Sequence, residues 1–253
     1  MLQHHEDSIK IMIAHYQEDP EITALFLIGS VATGTERPDS DLDGVAVVSQ
    51  EYYERKKKDK GTMEACFGKC TYKGGYFDVH FKTRKELEEL AESGSEPWRN
   101  MFCAARVLFC NDPELPGIVA RIPVFQKADA GKKQKRLYCT LKQFYNYYWN
   151  CCKPQGFHRH YVANGMIFNL YRLILLENEI LFPSARKLEM MVQRAKNKPD
   201  DIIEECHRLM KTFADDDALA LVKSYEAWTT YELPTDNTII ANGFFDPYDM
   251  SEY

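Results

Sequence analysis

Two aspartates stand two positions apart beside an apolar run in the segment GSVATGTERPDSDLDGVAVV. On a strand over residues 39–48, Asp41 and Asp43 would share one face, about 6.6 Å apart along the chain. Like charges on one face repel each other, so this spacing indicates a positive partner between them. Mg²⁺ prefers oxygen ligands, and two-metal sites hold their ions about 3.5–4 Å apart. We therefore expect the pair to bind divalent cations.

A third carboxylate, Asp78, lies within the apolar segment GGYFDVHF. On a strand over residues 76–82, Asp78 would share a face with Tyr76 and His80, opposite the apolar residues Phe77, Val79 and Phe81. Aspartate is depleted in strands, which suggests a functional reason for its position. If this strand neighbours the one with the aspartate pair, three carboxylates meet. The alternative is a surface aspartate on an edge strand.

A Gly29–Ser30 turn follows a predicted buried strand over residues 22–28. Glycine permits close approach of a ligand to the backbone, and the N-terminus of a helix favours anions. We expect Ser30 to cap a short helix over residues 31–34, and Gly29, Ser30 and Ser40 to hold phosphate groups. Alternatively, Ser30 serves only as a cap and Ser40 only as a turn residue.

These motifs resemble the polymerase-beta-type nucleotidyltransferase superfamily, in which a Gly-Ser turn precedes Ser-Asp-x-Asp and a later strand carboxylate. The resemblance extends over residues 1–110 and implies two Mg²⁺ ions with ATP or another nucleoside triphosphate as co-substrate. It implies catalytic and metal-binding roles for one set of residues, Asp41, Asp43 and Asp78. It also implies that a second set of residues binds the nucleotide: Gly29, Ser30 and Ser40.

The second half of the chain is similar to aminoglycoside nucleotidyltransferases of the streptomycin/spectinomycin type, through the segment YRLILLENEILFPSARK. That similarity implies that Arg172 and Lys187 reach the triphosphate. The alternatives are a structural salt bridge for Arg172 and a helix-end position for Lys187. Segments such as GGYFDVHF and GSEPWRNMF also resemble uncharacterised stand-alone nucleotidyltransferases, a resemblance that implies no substrate.

The pattern along the chain predicts an α+β fold in two domains. Residues 1–115 would form a mixed sheet flanked by helices, and residues 116–253 an all-α helical bundle that closes on the substrate or nucleotide. Thr83 and Glu86 form a predicted capping box for a helix over residues 84–92. The stretch 51–66 is interpreted as helix or mobile loop. Further helices are expected at 2–16, 132–152, 159–179, 184–193, 199–213 and 216–231, a strand at 105–110, and an irregular end at 233–253.

Composition narrows the function classes. The 253 residues carry a net charge of −6, which argues against a protein that grips nucleic acid through its phosphates. The eight cysteines lack paired spacing, so we expect reduced thiols in a cytoplasmic protein, and Cys66-x3-Cys70 lacks a second ligand pair for zinc. No apolar stretch is long enough for a membrane span, and the polar N-terminus does not resemble a signal peptide.

An aromatic stretch, LYCTLKQFYNYYWN, allows two interpretations. The helical spacing of Leu137, Leu141, Phe144 and Tyr148 favours a core stripe, while the alternative is a platform on which bases stack. The nearby pair His158 and His160 does not share a helix face, so we interpret it as structural rather than metal-binding.

The expected function is Mg²⁺-dependent transfer of a nucleoside monophosphate, AMP from ATP, to a hydroxyl of a small molecule, with release of pyrophosphate. The acidic composition favours a cationic acceptor such as an aminoglycoside antibiotic, and hence a role in antibiotic resistance. We expect a monomer or homodimer. Three alternatives stay open: transfer to tRNA or RNA, transfer to a partner protein as in antitoxins, and an inactive nucleotide sensor. A base from the helical half, Glu177 or Glu179, also stays open.

Overall fold

The computed structural model describes residues 1–245 and divides the chain into two compact units, Met1–Val124 and Phe125–Tyr253. The sequence places the division after residue 115, nine residues earlier. The difference arises from a helix over Leu115–Arg121, whose buried Leu115, Ile118 and Val119 belong to the apolar core of the first unit.

A mixed sheet organises the first unit, as predicted. Its strands are β1 (Ile22–Leu27), β2 (Leu42–Val48), β3 (Met63–Phe67), β4 (Tyr76–Thr83) and β5 (Arg106–Cys110). Their order across the sheet is β3–β4–β2–β1–β5. Strands β2 and β4 run parallel, whereas the other three neighbouring pairs are antiparallel. The parallel pair is central to the site, because it fixes which residues of β2 and β4 lie side by side.

Six helices accompany the sheet: α1 (Gln3–Gln17), α2 (Gly29–Thr33), α3 (Gln50–Asp59), α4 (Arg84–Ser93), α5 (Glu96–Met101) and α6 (Leu115–Arg121). One apolar layer joins α1 to the even-numbered side of β2, through residues such as Met12 and Leu42. The other layer joins α4, α5 and α6 to the odd-numbered side, through residues such as Val45 and Leu87. Odd-numbered Asp41 and Asp43 therefore belong to the side covered by α4–α6.

Strand β3 is one of the elements that the sequence interpretation missed. The stretch 51–66 was expected to be helix or loop, and it contains both α3 and the start of β3. β3 lies at the sheet edge, where its residues alternate between exposed and half-buried and Phe67 is largely exposed. A strand with so little burial has no apolar pattern that distinguishes it from a loop.

The second unit is helical, as predicted, with α7 (Lys127–Gln143), α8 (Gly156–Glu177), α9 (Ala185–Arg194), α10 (Ile202–Thr212), α11 (Asp215–Trp228) and α12 (Asn237–Phe245). Between α7 and α8 the chain forms a π-helical stretch, Phe144–Cys151. The expectation of irregular structure over 233–253 is wrong for the residues of α12, which contact α7. Residues 246–253 lie outside the described part of the chain. Of the helices described, none is long and apolar enough to cross a membrane.

Candidate active site

The three aspartates predicted to converge do so. Asp41, Asp43 and Asp78 each offer a carboxylate oxygen, and these oxygens all lie within 4.8 Å of one another. The parallel register of β2 and β4 places Asp43 beside Asp78. Asp41 lies one residue before β2, because the strand begins at Leu42 rather than at residue 39. We call Asp41, Asp43 and Asp78 the aspartate cluster.

Asp78 is partly removed from solvent. Its Oδ1 atom is buried without a hydrogen-bond partner among residues 1–245, and His80 Nε2 lies 4.0 Å from it. Burial raises the pKa of the Asp78 carboxyl, the His80 ring opposes this, and the Asp41 charge adds to it. A carboxylate in these surroundings is stabilised when it binds a cation or a proton.

Two neighbours on β4 complete the surroundings of Asp78. Interaction with the Asp41 carboxyl, together with burial, raises the pKa of Tyr76 to about 12. Burial lowers the pKa of His80, whose ring meets the Trp98 ring edge-on at 4.8 Å between centroids. His80 is therefore mostly neutral at pH 7 and adds little positive charge to the cluster. Strand alternation had placed both residues on this face, but it gave them no role.

Gly29 lies directly against the cluster. It has a φ of +71°, and a Cβ atom added there would stand 1.9 Å from Asp43 Oδ2. Only glycine fits this combination of left-handed backbone and close approach. The expected N-cap role of Ser30 is wrong, because α2 begins at Gly29 and Ile28 occupies the cap position. Ser30 lies in the first turn of α2, and its contact with phosphate stays a prediction.

Ser40 is buried in the turn that leads to the cluster. Its Oγ accepts a hydrogen bond from the Arg37 backbone N–H at 2.9 Å, and the Tyr72 hydroxyl donates to its carbonyl at 2.5 Å. These contacts match the turn role that the sequence left open. A phosphate contact by Ser40 stays a prediction.

Arg172 and Lys187 both belong to the second unit. Arg172, on α8, has its guanidinium 5.5 Å from the Phe168 ring centroid and 4.9 Å from that of Phe182. It also lines a large cavity of that unit, whereas Lys187, half-buried near the start of α9, does not. The triphosphate contacts of these two residues stay predictions.

A second group with metal-ligand atoms within 4.8 Å of one another is His15, Glu64 and Cys66. Here Glu64 already accepts hydrogen bonds from the Lys56 ammonium at 2.6 Å and the Cys66 thiol at 3.0 Å. The raised pKa of Cys66, caused mainly by burial, keeps this thiol protonated. Glu64 and Cys66 are thus engaged with each other and with Lys56, on the sheet face opposite the aspartate cluster.

Comparison with a family of known proteins agrees with the geometry of the cluster. Residues 9–97 match the family described as "Nucleotidyltransferase domain". A solved structure of a nucleotidyltransferase-like protein from Exiguobacterium sibiricum 255-15 is similar to this chain at 9% sequence identity and a TM-score of 0.44. The alignment covers 88% of this chain and 74% of the solved chain. No curated protein matches the chain. Residues 9–97, which contain all three aspartates, thus form a nucleotidyltransferase domain, and the protein is a nucleotidyltransferase enzyme.

Proposed function

We propose that this enzyme transfers a nucleoside monophosphate, AMP from ATP, to a hydroxyl group of a small molecule and releases pyrophosphate in an Mg²⁺-dependent reaction. The observation that carries the proposal is the convergence of Asp41, Asp43 and Asp78 within 4.8 Å. No structural benefit follows from three carboxylates at this separation, whereas nucleotidyl transfer requires such a group.

The cluster fits hard divalent cations. Its donors are all carboxylate oxygens, the ligand type that Mg²⁺ prefers. Asp78 Oδ1 lacks a hydrogen-bond partner within residues 1–245, so a cation would satisfy a buried acceptor. The absence of a Cβ at Gly29 keeps the space beside Asp43 Oδ2 open. Bound there, Mg²⁺ would neutralise negative charge that develops on the phosphates.

The residues of the site have distinct roles in this proposal. Asp41 and Asp43 would hold the cations, and Tyr76, whose pKa responds most to Asp41, would help to position the Asp41 carboxylate. Asp78 either completes the cation site or takes the proton of the acceptor hydroxyl, and its raised pKa suits it to the second role. The hydroxyl oxygen then forms a bond to the α-phosphorus while the bond from that phosphorus to the pyrophosphate oxygen breaks. Gly29 and Ser30 position the departing phosphates.

The acceptor is the finer part of the proposal. The similarity to aminoglycoside enzymes and the net charge of −6 favour a hydroxylated small molecule over nucleic acid. An aminoglycoside, and with it antibiotic resistance, is the first acceptor to test. A cytoplasmic location, with ATP and Mg²⁺ present, fits a chain whose eight cysteines are all free thiols.

The test is a matrix of pyrophosphate release. Each of ATP, GTP, CTP and UTP is incubated with Mg²⁺ and with aminoglycosides, simple polyols, nucleosides or tRNA, and mass spectrometry identifies the product. We expect release with ATP and a small hydroxylated acceptor, lost on chelation of Mg²⁺ and in Asp43→Asn. Release only with tRNA would replace the small-molecule acceptor by nucleic acid. ATP that binds without turnover under every condition would indicate a sensor and contradict the proposal.

A further inference from the structure

The edge strand β3 carries apolar side chains on the same face of the sheet as the aspartate cluster. In the antiparallel pairing of β3 with β4, odd-numbered residues of β3 lie opposite even-numbered residues of β4. Cross-strand partners project from the same face of a sheet. The pairs are Met63 with His80, Ala65 with Asp78 and Phe67 with Tyr76. We call Met63, Ala65 and Phe67 the β3 strip.

The β3 strip is open to solvent. The exposed fraction is 73% for Phe67 and 51% for Met63, and Ala65 is also exposed. Single exposed apolar residues are ordinary, whereas contiguous ones beside polar groups are typical of binding sites. In contrast, the even-numbered Glu64 and Cys66 are half-buried on the opposite face. The strand thus uses one face for packing and leaves its apolar side chains on the face of the cluster.

One aromatic contact holds the β3 strip next to the cluster. The Phe67 ring stacks on the Tyr76 ring, with 4.8 Å between centroids and 27° between planes. Tyr76 is close enough to the cluster for the Asp41 carboxyl to raise the Tyr76 pKa. The contact fixes the Phe67 ring while most of the side chain stays exposed. A ligand that reaches the cluster therefore meets an apolar surface already in place, which lowers the entropic cost of binding.

The order of the strands indicates which substrate meets the β3 strip. Phosphoryl and nucleotidyl transfer are in-line displacements, in which the attacking and leaving oxygens lie on opposite sides of the phosphorus. Gly29, which positions the departing phosphates in the proposed reaction, follows β1 and lies against Asp43 on that side of β2. Strands β4 and β3 lie on the other side of β2. Departure of pyrophosphate toward β1 therefore requires that the attacking hydroxyl arrives from the side of β4 and β3.

We propose that the β3 strip binds the acceptor of the transfer reaction through a flat apolar face next to the hydroxyl that is modified. This inference rests on the proposed function and narrows its acceptor. A hydroxyl attached to a sugar ring or an aromatic ring has this chemistry, whereas a small acyclic polyol does not. Phe67 is the main specificity-determining residue, because it combines the most exposed side chain of the strip with the contact to Tyr76.

The test compares two compounds with the same sugar hydroxyls. Phenyl and methyl β-D-glucopyranoside differ only in the apolar group, and saturation-transfer NMR titrations measure their binding to the full chain. The titrations contain Mg²⁺, with and without α,β-methylene-ATP, in which the bond that transfer breaks is replaced and turnover is prevented. We expect the phenyl compound to bind about tenfold more tightly than the methyl compound. Addition of the nucleotide analogue should not weaken its binding.

Variants of Phe67 locate the binding to the β3 strip. Phe67→Ala should weaken binding of the phenyl compound about tenfold, as expected for loss of an aromatic contact, and Phe67→Tyr should retain it. Val107→Ala is the matched control, because Val107 is 50% exposed on β5, the strand at the other edge of the sheet. Melting temperatures separate loss of binding from loss of folding. In the pyrophosphate assay, Phe67→Ala should raise KM for the acceptor and leave KM for ATP unchanged.

Four outcomes would overturn the assignment of the β3 strip: no binding of the phenyl compound, equal binding of the two glucosides, equal behaviour of Phe67→Ala and Val107→Ala, or displacement by α,β-methylene-ATP. Displacement would mean that the strip holds the nucleotide instead of the acceptor. Pyrophosphate release with an unchanged acceptor KM in Phe67→Ala would refute the strip and leave the proposed function standing. Absence of release with every nucleotide and acceptor would contradict the proposed function itself.

Discussion

At the scale of single residues, cation binding by the aspartate cluster would depend on carboxylate oxygens that lie close together. Asp41 and Asp43 supply them from the start of β2, and Asp78 supplies one from β4. Asp43 is central to it, because it lies beside Asp78 in the β2–β4 register and against Gly29. Replacement of one carboxylate by an amide keeps the shape and removes a negative charge. Such a change isolates the electrostatic contribution of the residue.

Asp43→Asn should lower kcat/KM for pyrophosphate release by about 10³-fold, because loss of a cation ligand removes several kcal/mol of transition-state stabilisation. The melting temperature should not fall. Asp39→Asn is the control, since Asp39 is exposed, pairs with Arg37 at 3.1 Å and lies outside the cluster. If Asp43→Asn kept normal turnover, the cation-binding role would be wrong.

The glycines at the two ends of α2, Gly29 at its start and Gly34 directly after it, offer a matched test of close approach. Gly29 and Gly34 have nearly the same φ, +71° and +69°, but an added Cβ at Gly34 meets nothing within 4 Å. Alanine at either position should cost about 1–2 kcal/mol of stability through the left-handed backbone. Only Gly29→Ala should also abolish transfer, because its methyl group displaces the Asp43 carboxylate. Equal activity of the two variants in an assay at saturating Mg²⁺ would contradict a need for close approach between Gly29 and Asp43.

Asp78 predicts a pH dependence of stability in metal-free buffer. Because burial raises its pKa in the folded state, the folded protein binds this proton more tightly than the unfolded chain does. Stability from this group is therefore lost as pH rises from the unfolded value of about 3.9 through the raised folded value. At neutral pH, Asp78→Asn should melt at a higher temperature than the wild type without Mg²⁺, and the gap should narrow as pH falls.

Addition of Mg²⁺ should make the wild type melt at a higher temperature than Asp78→Asn, because the cation stabilises only a protein that binds it. Thermal unfolding from pH 4.5 to 8, with chelator and with Mg²⁺, measures both effects. A wild type that is more stable than Asp78→Asn at neutral pH in chelator would show that Asp78 is not destabilised by its surroundings.

At the scale of elements, the site depends on how closely α1 and β4 pack against β2. A Cβ at Gly44 of β2 would stand 2.6 Å from Met12 Cε of α1 and 3.2 Å from Val79 Cγ2 of β4. The glycine lets both elements approach the strand that carries Asp43, the residue before it. The position of Asp78 beside Asp43 thus depends on the close packing of Gly44 against Val79, the residues that follow them in β2 and β4.

The junction of β4 and α4 is fixed by a capping box. Thr83 Oγ1 accepts a hydrogen bond from the Glu86 backbone N–H at 3.1 Å, and the Glu86 carboxylate accepts one from the Thr83 N–H at 2.8 Å. Thr83→Ala should therefore cost about 1 kcal/mol, a fall of about 2–4 °C in melting temperature. Ser95→Ala is the control, because Ser95 precedes α5 without a side-chain cap hydrogen bond. Equal melting temperatures of the two variants would mean that the box contributes nothing.

At the scale of the whole molecule, the net charge predicts weak binding to nucleic acid. With a net charge of −6, the chain lacks the positive excess that drives binding to phosphate backbones. We expect no retardation of tRNA in a gel at about 150 mM salt, and no dependence of turnover on added tRNA. A complex that forms at low salt and persists at that concentration would restore nucleic acid as a candidate acceptor.

The sequence by itself determined the elements that carry chemistry. The alternation in GGYFDVHF put Asp78 on the face opposite Phe77, and the Thr83–Glu86 pair marked the start of a helix, because both signals depend on neighbours within a few residues. The Asp41–Asp43 spacing and the Gly29–Ser30 turn were local for the same reason. Two local interpretations were wrong: Ser30 as a cap, and an irregular chain over the residues of α12.

Only the tertiary structure decided what lies beside what. The parallel pairing that puts Asp43 next to Asp78 joins two strands that are separated by 27 residues. The intervening segment contains β3, which the sequence analysis missed because an exposed edge strand has no apolar pattern. The contact between Gly29 and Asp43, and the cavity that Lys133 and Arg172 share, likewise depend on packing between elements distant in sequence. Local patterns specify which face of an element a side chain occupies, whereas the neighbours of that face are set by long-range burial and strand register.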